Sequence, residues 1–328
     1  QECVSESYSV PRVVIVTPAP PGSRTGNRIT ANRWRRILRS LGHQVTVDMK
    51  YIDQSCDVLV VLHARKSAAS VRRIKRIHPD VPVIVALTGT DLYHDLSWSR
   101  TAQESIQQAD RLIVLQDQGR HSLPSALREK THVILQSAIP VKRRLSSLKR
   151  VWEVSVAGHL RTVKDPFRAA LASRSLPPTS RIRISHMGKA LSTAMEHRAC
   201  REMQCNVRYR WYGECAHNRA RQMIARSRIL VLSSKMEGGA NVISEALANS
   251  VPVLATRIEG SVGLLGNDYS GFFNVGDTKR LCHLLIRAET DPVFYAALSQ
   301  QCRTRAGQLT PDRERIAWKI LMQNVAAS

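Results

Sequence analysis

The sequence predicts an α/β protein of two domains, each a doubly wound parallel sheet. Three observations carry this. The chain has 328 residues, 43% of them apolar, which exceeds one ordinary domain and lets two halves each bury a core. Short β-branched runs alternate with amphipathic stretches of helix length, the pattern of successive strand–helix–strand units. The alternation also occurs twice, on either side of residues 138–150, which hold a proline, a charge run and no hydrophobic period and read as a linker and hinge. The expected limits are 11–140 for the first domain and 151–310 for the second, with 311–328 a helix packing back toward the first.

The first domain opens with Val13-Val14-Ile15-Val16, a run suited to a fully buried strand. A Pro/Gly-rich loop, Thr17 to Arg28, leads to a helix from about Ile29 to Leu41 with Trp34, Ile37, Leu38 and Leu41 on one face. Gly42 closes it before a strand over 43–47. The loop is not G-x-G-x-x-G, and no acidic residue is expected at the end of the second strand, so a nicotinamide enzyme is disfavoured. Arg24 and Arg28 beside Gly26 and Asn27 instead suggest an oxyanion cradle. A third strand, 58–62, runs into His63-Ala64-Arg65-Lys66-Ser67, and a basic helix to His78 leads to strand 83–87, which ends in Thr88-Gly89-Thr90-Asp91. Strands 112–115 and 132–135 complete this half. Ligands of open α/β sheets gather outside the carboxyl ends of strands, so loops 17–28, 63–67 and 88–91 are expected at one mouth. His63, beside Arg65, reads equally as a catalyst or as a satisfied structural imidazole.

The second half repeats the pattern: strand 152–157, a helix from Asp165, strand 182–187, a helix to about Met203, strand 206–212, a helix to Arg226, strand 229–232, and strand 251–255. The tail 278–326 is helical, with Asp291-Pro292 and Thr310-Pro311-Asp312 as start signals. Strand 152–157 delivers Gly158-His159-Leu160-Arg161-Thr162-Val163-Lys164, placing two cations, Arg161 and Lys164, where they can neutralise a diphosphate leaving group. The chain has no D-x-D through which a metal would do this, so no metal is expected.

Strand 229–232 enters Ser233-Ser234-Lys235-Met236-Glu237-Gly238-Gly239-Ala240-Asn241-Val242-Ile243-Ser244-Glu245. Gly238 and Gly239 allow a sharp turn, and a helix is expected to start near Ala240. Its unpaired N–H groups and positive dipole end make an anion site. Glu245, one turn after Asn241, points into the same crevice, where a carboxylate suits vicinal sugar hydroxyls. Glu237 sits on the strand side of the turn. The arrangement suggests a ligand that is part sugar and part phosphate; the plain alternative is a tight turn between two solvated glutamates.

Composition narrows the remaining classes. Forty-nine Lys and Arg against 26 Asp and Glu leave a formal net charge of +23, which favours anionic partners. The arginine clusters, such as Arg33-Trp34-Arg35-Arg36 and Arg208-Tyr209-Arg210-Trp211, are scattered along the chain, and nucleic-acid binding is not expected, though it remains the non-enzyme alternative. Seven cysteines at irregular spacings read as free thiols. Cys200, Cys205 and Cys215 with His197 and His217 contain no C-x-x-C, and zinc is disfavoured. No run approaches the ~20 apolar residues of a membrane span, and a cytoplasmic chain without membrane contact is expected.

The glycine loop after the first strand, the stretch Gly158-x-Leu160-x-x-x-Lys164 and Glu237-x7-Glu245 together resemble the retaining glycosyltransferases of family four. These have the GT-B fold, two Rossmann-like domains facing a central cleft. The similarity spans nearly the whole chain. It implies a nucleotide-sugar on the second domain, with Lys164 on the diphosphate, Glu245 on the ribose, and Gly238, Gly239, Ala240, Asn241 and Val242 offering backbone to phosphate. The usual arginine position holds His159, so its charge is expected to pass to Arg161. More narrowly, Leu62-His63-Ala64-Arg65, Leu87-Thr88-Gly89-Thr90-Asp91 and Glu237-Gly238-Gly239-Ala240-Asn241-Val242 resemble the selenosugar synthases of selenoneine biosynthesis. That resemblance implies a UDP-sugar (UDP-N-acetylglucosamine or UDP-glucose) attacked by selenophosphate, no cofactor, and handoff of the product to a later enzyme of that pathway. On this reading Arg161, Lys164, Glu237 and His63 are the catalytic candidates, and Thr17, Arg24, Gly26, Asn27, Arg28, Arg65, Thr90 and Asp91 hold selenophosphate. An ordinary hydroxyl acceptor, or a sugar-binding module without turnover, are the alternatives.

Overall fold

Strands form where the β-branched runs occur. The computed structural model describes residues 10–142, 145–146 and 148–326; Cys3, three residues of the expected linker (Arg143, Arg144, Ser147) and the last two residues lie outside these. β1 (Arg12–Val16), β2 (Gln44–Asp48), β3 (Val58–Leu62), β4 (Val83–Leu87), β5 (Arg111–Val114) and β6 (Thr131–Val133) make one parallel sheet in the order β2-β1-β3-β4-β5-β6. β7 (Trp152–Ala157), β8 (Ile182–Met187), β9 (Tyr209–Trp211), β10 (Ile229–Leu232), β11 (Val253–Thr256) and β12 (Phe272–Phe273) make a second, in the order β12-β11-β10-β7-β8-β9.

The chain divides into two units. One contains the first sheet and comprises residues up to 115, 120–134 and those from 315 on; the other contains the second sheet and comprises 116–119 and 135–314. In the first unit, alternate strand residues feed two cores, as a sheet covered on both faces requires. Val14, Val16, Leu59, Val61, Val83 and Val85 pack with Val71 and Ile74 on one face. Ile15, Val58, Val60, Leu62 and Ile84 pack with Trp34 and Leu38 on the other. Trp318, Leu321 and Met322 of the helix Pro311–Ala326 join that second core, and the rings of Trp34 and Trp318 meet edge to face at 4.9 Å. In the second unit, buried Glu153 on β7 accepts from Nε and Nη2 of Arg226 at 2.6 and 2.7 Å and from the Ser185 hydroxyl at 2.7 Å, tying the helix His217–Arg226 to the sheet.

Several sequence expectations need correction. The first helix runs Gly26–Ser40, three residues earlier than its apolar face suggests, because N-terminal turns need no buried residue. β2 ends on Asp48, so an acidic residue does stand there; it accepts from Thr46 and Gln54, each at 3.2 Å. The expected helix from Asp165 is a single 3-10 turn, Thr162–Lys164, followed by a helix only over Arg168–Ser173. The tail is helical as expected, with helices Thr278–Thr290, Pro292–Ala306 and Pro311–Ala326, the last two opening at the expected start signals and Asp291 capping the second through the Phe294 N–H.

Candidate functional site

Strand order fixes where each unit can bind. In an open parallel sheet the crevice lies where the order reverses, outside the strand carboxyl ends. In the second unit that point is between β7 and β10, so loops 158–165 and 233–240 become neighbours although they are far apart in sequence. Three contacts stitch them: the Lys235 N–H reaches the Val163 carbonyl at 2.8 Å, and the Ser233 hydroxyl reaches the Asp165 and Lys164 carbonyls at 2.9 and 3.3 Å. Asp165 itself takes the left-handed conformation, with φ 43°, to complete the turn.

Lys164 and Glu237 form an ion pair across this point, with side chains 23% and 12% exposed. Glu237 Oε1 also accepts from the Ser234 hydroxyl at 2.5 Å. An ammonium has three donors, so Lys164 keeps two for a ligand. Arg161 is exposed and forms no ion pair among the described residues. His159 accepts the Lys189 N–H on Nδ1 at 3.1 Å; burial, together with Arg161, Lys164 and Lys189, pushes its pKa down against the pull of Glu214. The neutral ring therefore carries its proton on Nε2 and offers a donor without charge.

The helix Asn241–Ala248 begins one residue after the turn, with no side chain capping its first N–H groups. Gly238 is buried and Gly239 and Asn241 are half-buried. Glu245 lies on this helix, 9% exposed, and its Oε1 sits 2.6 Å from Nε2 of His217. Lys164, Glu237, Gly158 and the turn residues 238–242 thus cluster about the reversal of the second sheet.

Three residues that serve this cluster carry no sequence signal that would single them out. His186 is fully buried and pins Gly158: Nε2 donates to the Gly158 carbonyl at 3.2 Å and Nδ1 accepts from the Tyr209 hydroxyl at 2.9 Å. Burial pulls its pKa down to about 4. His217 is a second. The third is Gly260, in the helix Glu259–Leu265, where an added Cβ would fall on the backbone carbonyl of Glu237 and lie 2.8 Å from its carbon. Gly260→Ala is accordingly expected to cost about 1–3 kcal/mol, through forced backbone shifts, as read by thermal unfolding; an unchanged unfolding temperature would refute the clash.

In the first unit the order reverses between β1 and β3, which brings loops 17–28 and 63–67 together. Several of the expected anion-binding residues are committed to the fold. Thr17 is fully buried and its hydroxyl accepts the Ala19 N–H at 3.4 Å. Asp91, also fully buried, accepts the N–H groups of Ala64, Thr88 and Gly89 at 2.8–2.9 Å. Fully enclosed, it shapes two loops. His63 is 3% exposed with φ 74°, its Nδ1 takes the Lys66 N–H at 3.3 Å, and burial pushes its pKa down against Asp91. The ring is enclosed, and its Nε2 is buried without a hydrogen-bond partner.

Arg65 is partly exposed; its Nε donates to buried Asp95 at 2.8 Å and its guanidinium lies 5.3 Å from the ring centre of Trp98. Arg28 is 5% exposed. Its Nε donates to the Pro20 carbonyl at 3.1 Å, and its Nη2 is buried without a partner. Burial and Arg35 lower its pKa. Arg24, Gly26 and Thr90 are exposed and Asn27 half-exposed, the last beside the uncapped start of the helix Gly26–Ser40.

Elsewhere many arginines are structural. Arg208 donates to the carbonyls of Pro177, Ser180 and Ile182, and Arg12 pairs with Asp57. Among the described residues no group of three His, Cys, Asp or Glu is arranged to hold a metal, Cys56, Cys200, Cys205, Cys215, Cys282 and Cys302 form no disulfide, and no helix is long and apolar enough to cross a membrane.

Comparison with known proteins agrees with this layout. Residues 142–306, half of the chain, match the family described as glycosyl transferases group 1. No curated protein sequence matches significantly. Among solved structures, sucrose-phosphate synthase from Thermosynechococcus elongatus superposes with a TM-score of 0.78 at 14% identity, over 98% of this chain and all of that one. HepE from Anabaena, solved with UDP and glucose, gives 0.75 at 14% identity, over 96% of this chain and 100% of that one. A glycosyltransferase from Rickettsia africae gives 0.73 at 13% identity, covering 97% and 99%. The two parallel sheets and their helices are the GT-B fold of these enzymes.

Proposed function

The chain belongs to the glycosyl transferases group 1, and from that premise we propose that it moves a sugar from a UDP-sugar, UDP-N-acetylglucosamine or UDP-glucose, to selenophosphate. The observation that carries the donor half is the Lys164–Glu237 pair at the reversal of the second sheet, with Glu245 eight residues on. Lys164, exposed Arg161 and the uncapped start of the helix Asn241–Ala248 meet the charge of the diphosphate, and His159 adds a neutral donor. Glu245 takes the ribose hydroxyls. HepE, whose fold is similar, was solved with UDP bound, which supports the same donor class here.

The selenium of selenophosphate supplies the electron pair that forms the C–Se bond at the anomeric carbon, while the C–O bond to the β-phosphate breaks and its pair leaves on UDP. Water then attacks phosphorus, the Se–P bond breaks, and a 1-selenosugar and phosphate remain. The nucleophile is already anionic, so positioning by cations matters more than a general base. The unpartnered buried Nη2 of Arg28 and exposed Arg24, beside the start of the helix Gly26–Ser40, favour an anion in the first unit. Neither half invokes a metal or cofactor, and a selenosugar product would pass to a later enzyme of selenoneine biosynthesis.

A second reading, transfer to a hydroxyl acceptor, draws on Trp98. This ring is 58% exposed, its Nε1 donates to Nδ1 of neighbouring His94 at 3.2 Å, and its open face suits the stacking of a sugar acceptor. The test is UDP release from either UDP-sugar, with and without fresh selenophosphate, with mass spectrometry of the sugar product. Release that requires selenophosphate, with a selenium isotope pattern on the sugar, is the expected result. Release only with a sugar or lipid alcohol would replace the first reading by the second. No release with any acceptor, despite UDP binding, would leave a sugar-binding module.

A further inference from the structure

Glu245 is held by a residue that no motif identifies. Its carboxylate is largely buried on the helix Asn241–Ala248, and Oε1 lies 2.6 Å from Nε2 of His217, the residue that opens the helix His217–Arg226. His217 comes 28 residues before Glu245, and its side chain is 39% exposed at the edge of the site. The backbone beneath Glu245 is fixed as well. Its carbonyl accepts from Asn249 Nδ2 at 2.7 Å, and the adjacent Ser244 hydroxyl donates to the Gln136 carbonyl at 2.7 Å.

A glutamate side chain on a fixed backbone can still rotate its carboxylate, and a ligand that must order it loses affinity for the freedom removed. With Oε1 tied to His217 that freedom is already gone, and Oε2 is left for a ligand. A contact of 2.6 Å to a carboxylate oxygen requires a proton on Nε2, whether the ring is neutral or charged, so the hold does not depend on imidazolium formation. His217 donates to a charged acceptor, the stronger kind of hydrogen bond, at the edge of the binding mouth.

We infer that His217 is a positioning residue: it turns Glu245 so that one carboxylate oxygen faces the ribose diol of the donor, and through Glu245 it makes donor binding selective for ribose over deoxyribose. This rests on the UDP-sugar reading given above. The test is calorimetric titration of the whole protein with UDP and with 2′,3′-dideoxy-UDP. His217→Ala should weaken UDP about tenfold while leaving the dideoxy compound unchanged, the loss of one charge-assisted hydrogen bond felt only through the diol. His217→Gln, which retains an N–H at a comparable reach, should recover most of the affinity. A His217→Ala, Glu245→Ala double variant should bind UDP no more weakly than Glu245→Ala alone, since both substitutions act through one carboxylate. In turnover the effect should fall on the donor KM and spare kcat.

His217→Ala within twofold of the parent, equal losses for both nucleotides, or losses that multiply in the double variant would each overturn the inference. A parent protein that binds no UDP would instead bring down the donor reading, and the inference with it. A folded His217→Ala, checked by thermal unfolding, makes these outcomes distinguishable from damage to the helix.

Discussion

Lys164→Ala is expected to lower turnover by about 10²- to 10³-fold, the range seen when one preorganised donor to a developing anion is removed. Lys164 sits where β7 and β10 end side by side, and it is fixed there by Glu237. Arg161 is exposed without an ion pair among the described residues, and His159 is neutral, so neither replaces a fixed positive charge. The fold should survive. Both side chains of the Lys164–Glu237 pair retain some exposure, and after the substitution Glu237 keeps the Ser234 hydroxyl, so the stability loss should stay near ~1 kcal/mol. The check is steady-state UDP release together with circular dichroism. Lys164→Arg should retain part of the activity, because the charge survives but the reach differs. Full activity in a folded Lys164→Ala protein would remove the residue from the site.

Glu153→Ala is expected to have the largest effect on stability, about 3–5 kcal/mol, the usual cost of leaving one member of a buried pair uncompensated. Glu153 is 2% exposed on β7 and binds Arg226 through two hydrogen bonds and Ser185 through a third. Removing the carboxylate strands the guanidinium of Arg226, only 11% of whose side chain is exposed. Denaturant unfolding measures it. A double variant with leucine at both 153 and 226 should recover much of the loss, because two apolar groups need no partner. Equal losses in the single and double variants would show that the site depends on packing rather than on an unpaired charge.

The strands were the most legible part of the chain. β3, β4, β10 and β1 from Val13 on lie under unbroken β-branched or aliphatic runs, as a parallel sheet covered on both faces favours, while β7 and β8 interleave polar residues such as Glu153, Ser155, Ser185 and His186. Legibility failed at the sheet edges. β12 is the two residues Phe272–Phe273, too short to carry a period, and β9 covers only Tyr209–Trp211 of a stretch whose arginines Arg208 and Arg210 point elsewhere. At Lys164 the local signal was Pro166, which keeps Asp165 out of the right-handed helical region. Its carbonyls are then held by Ser233 and Lys235 from the loop after β10.

The site divides in the same way. Residue order alone placed Gly158 to Lys164 and Glu237 to Glu245 after two strands, and the rule that ligands meet strand carboxyl ends made them candidates. Whether a given polar group would be free was another matter. Asp91 resembles a ligand in sequence, yet it is fully buried and accepts three backbone N–H groups, and Glu245 already has His217 against Oε1. The sequence by itself determined the alternating elements, the two sheets and the glycine turn, since these follow from the chain's own period and from the conformations its residues permit. Only the tertiary structure decided which cations and carboxylates remain available, because a hydrogen bond reaches about 3 Å and its partner can come from anywhere in the chain.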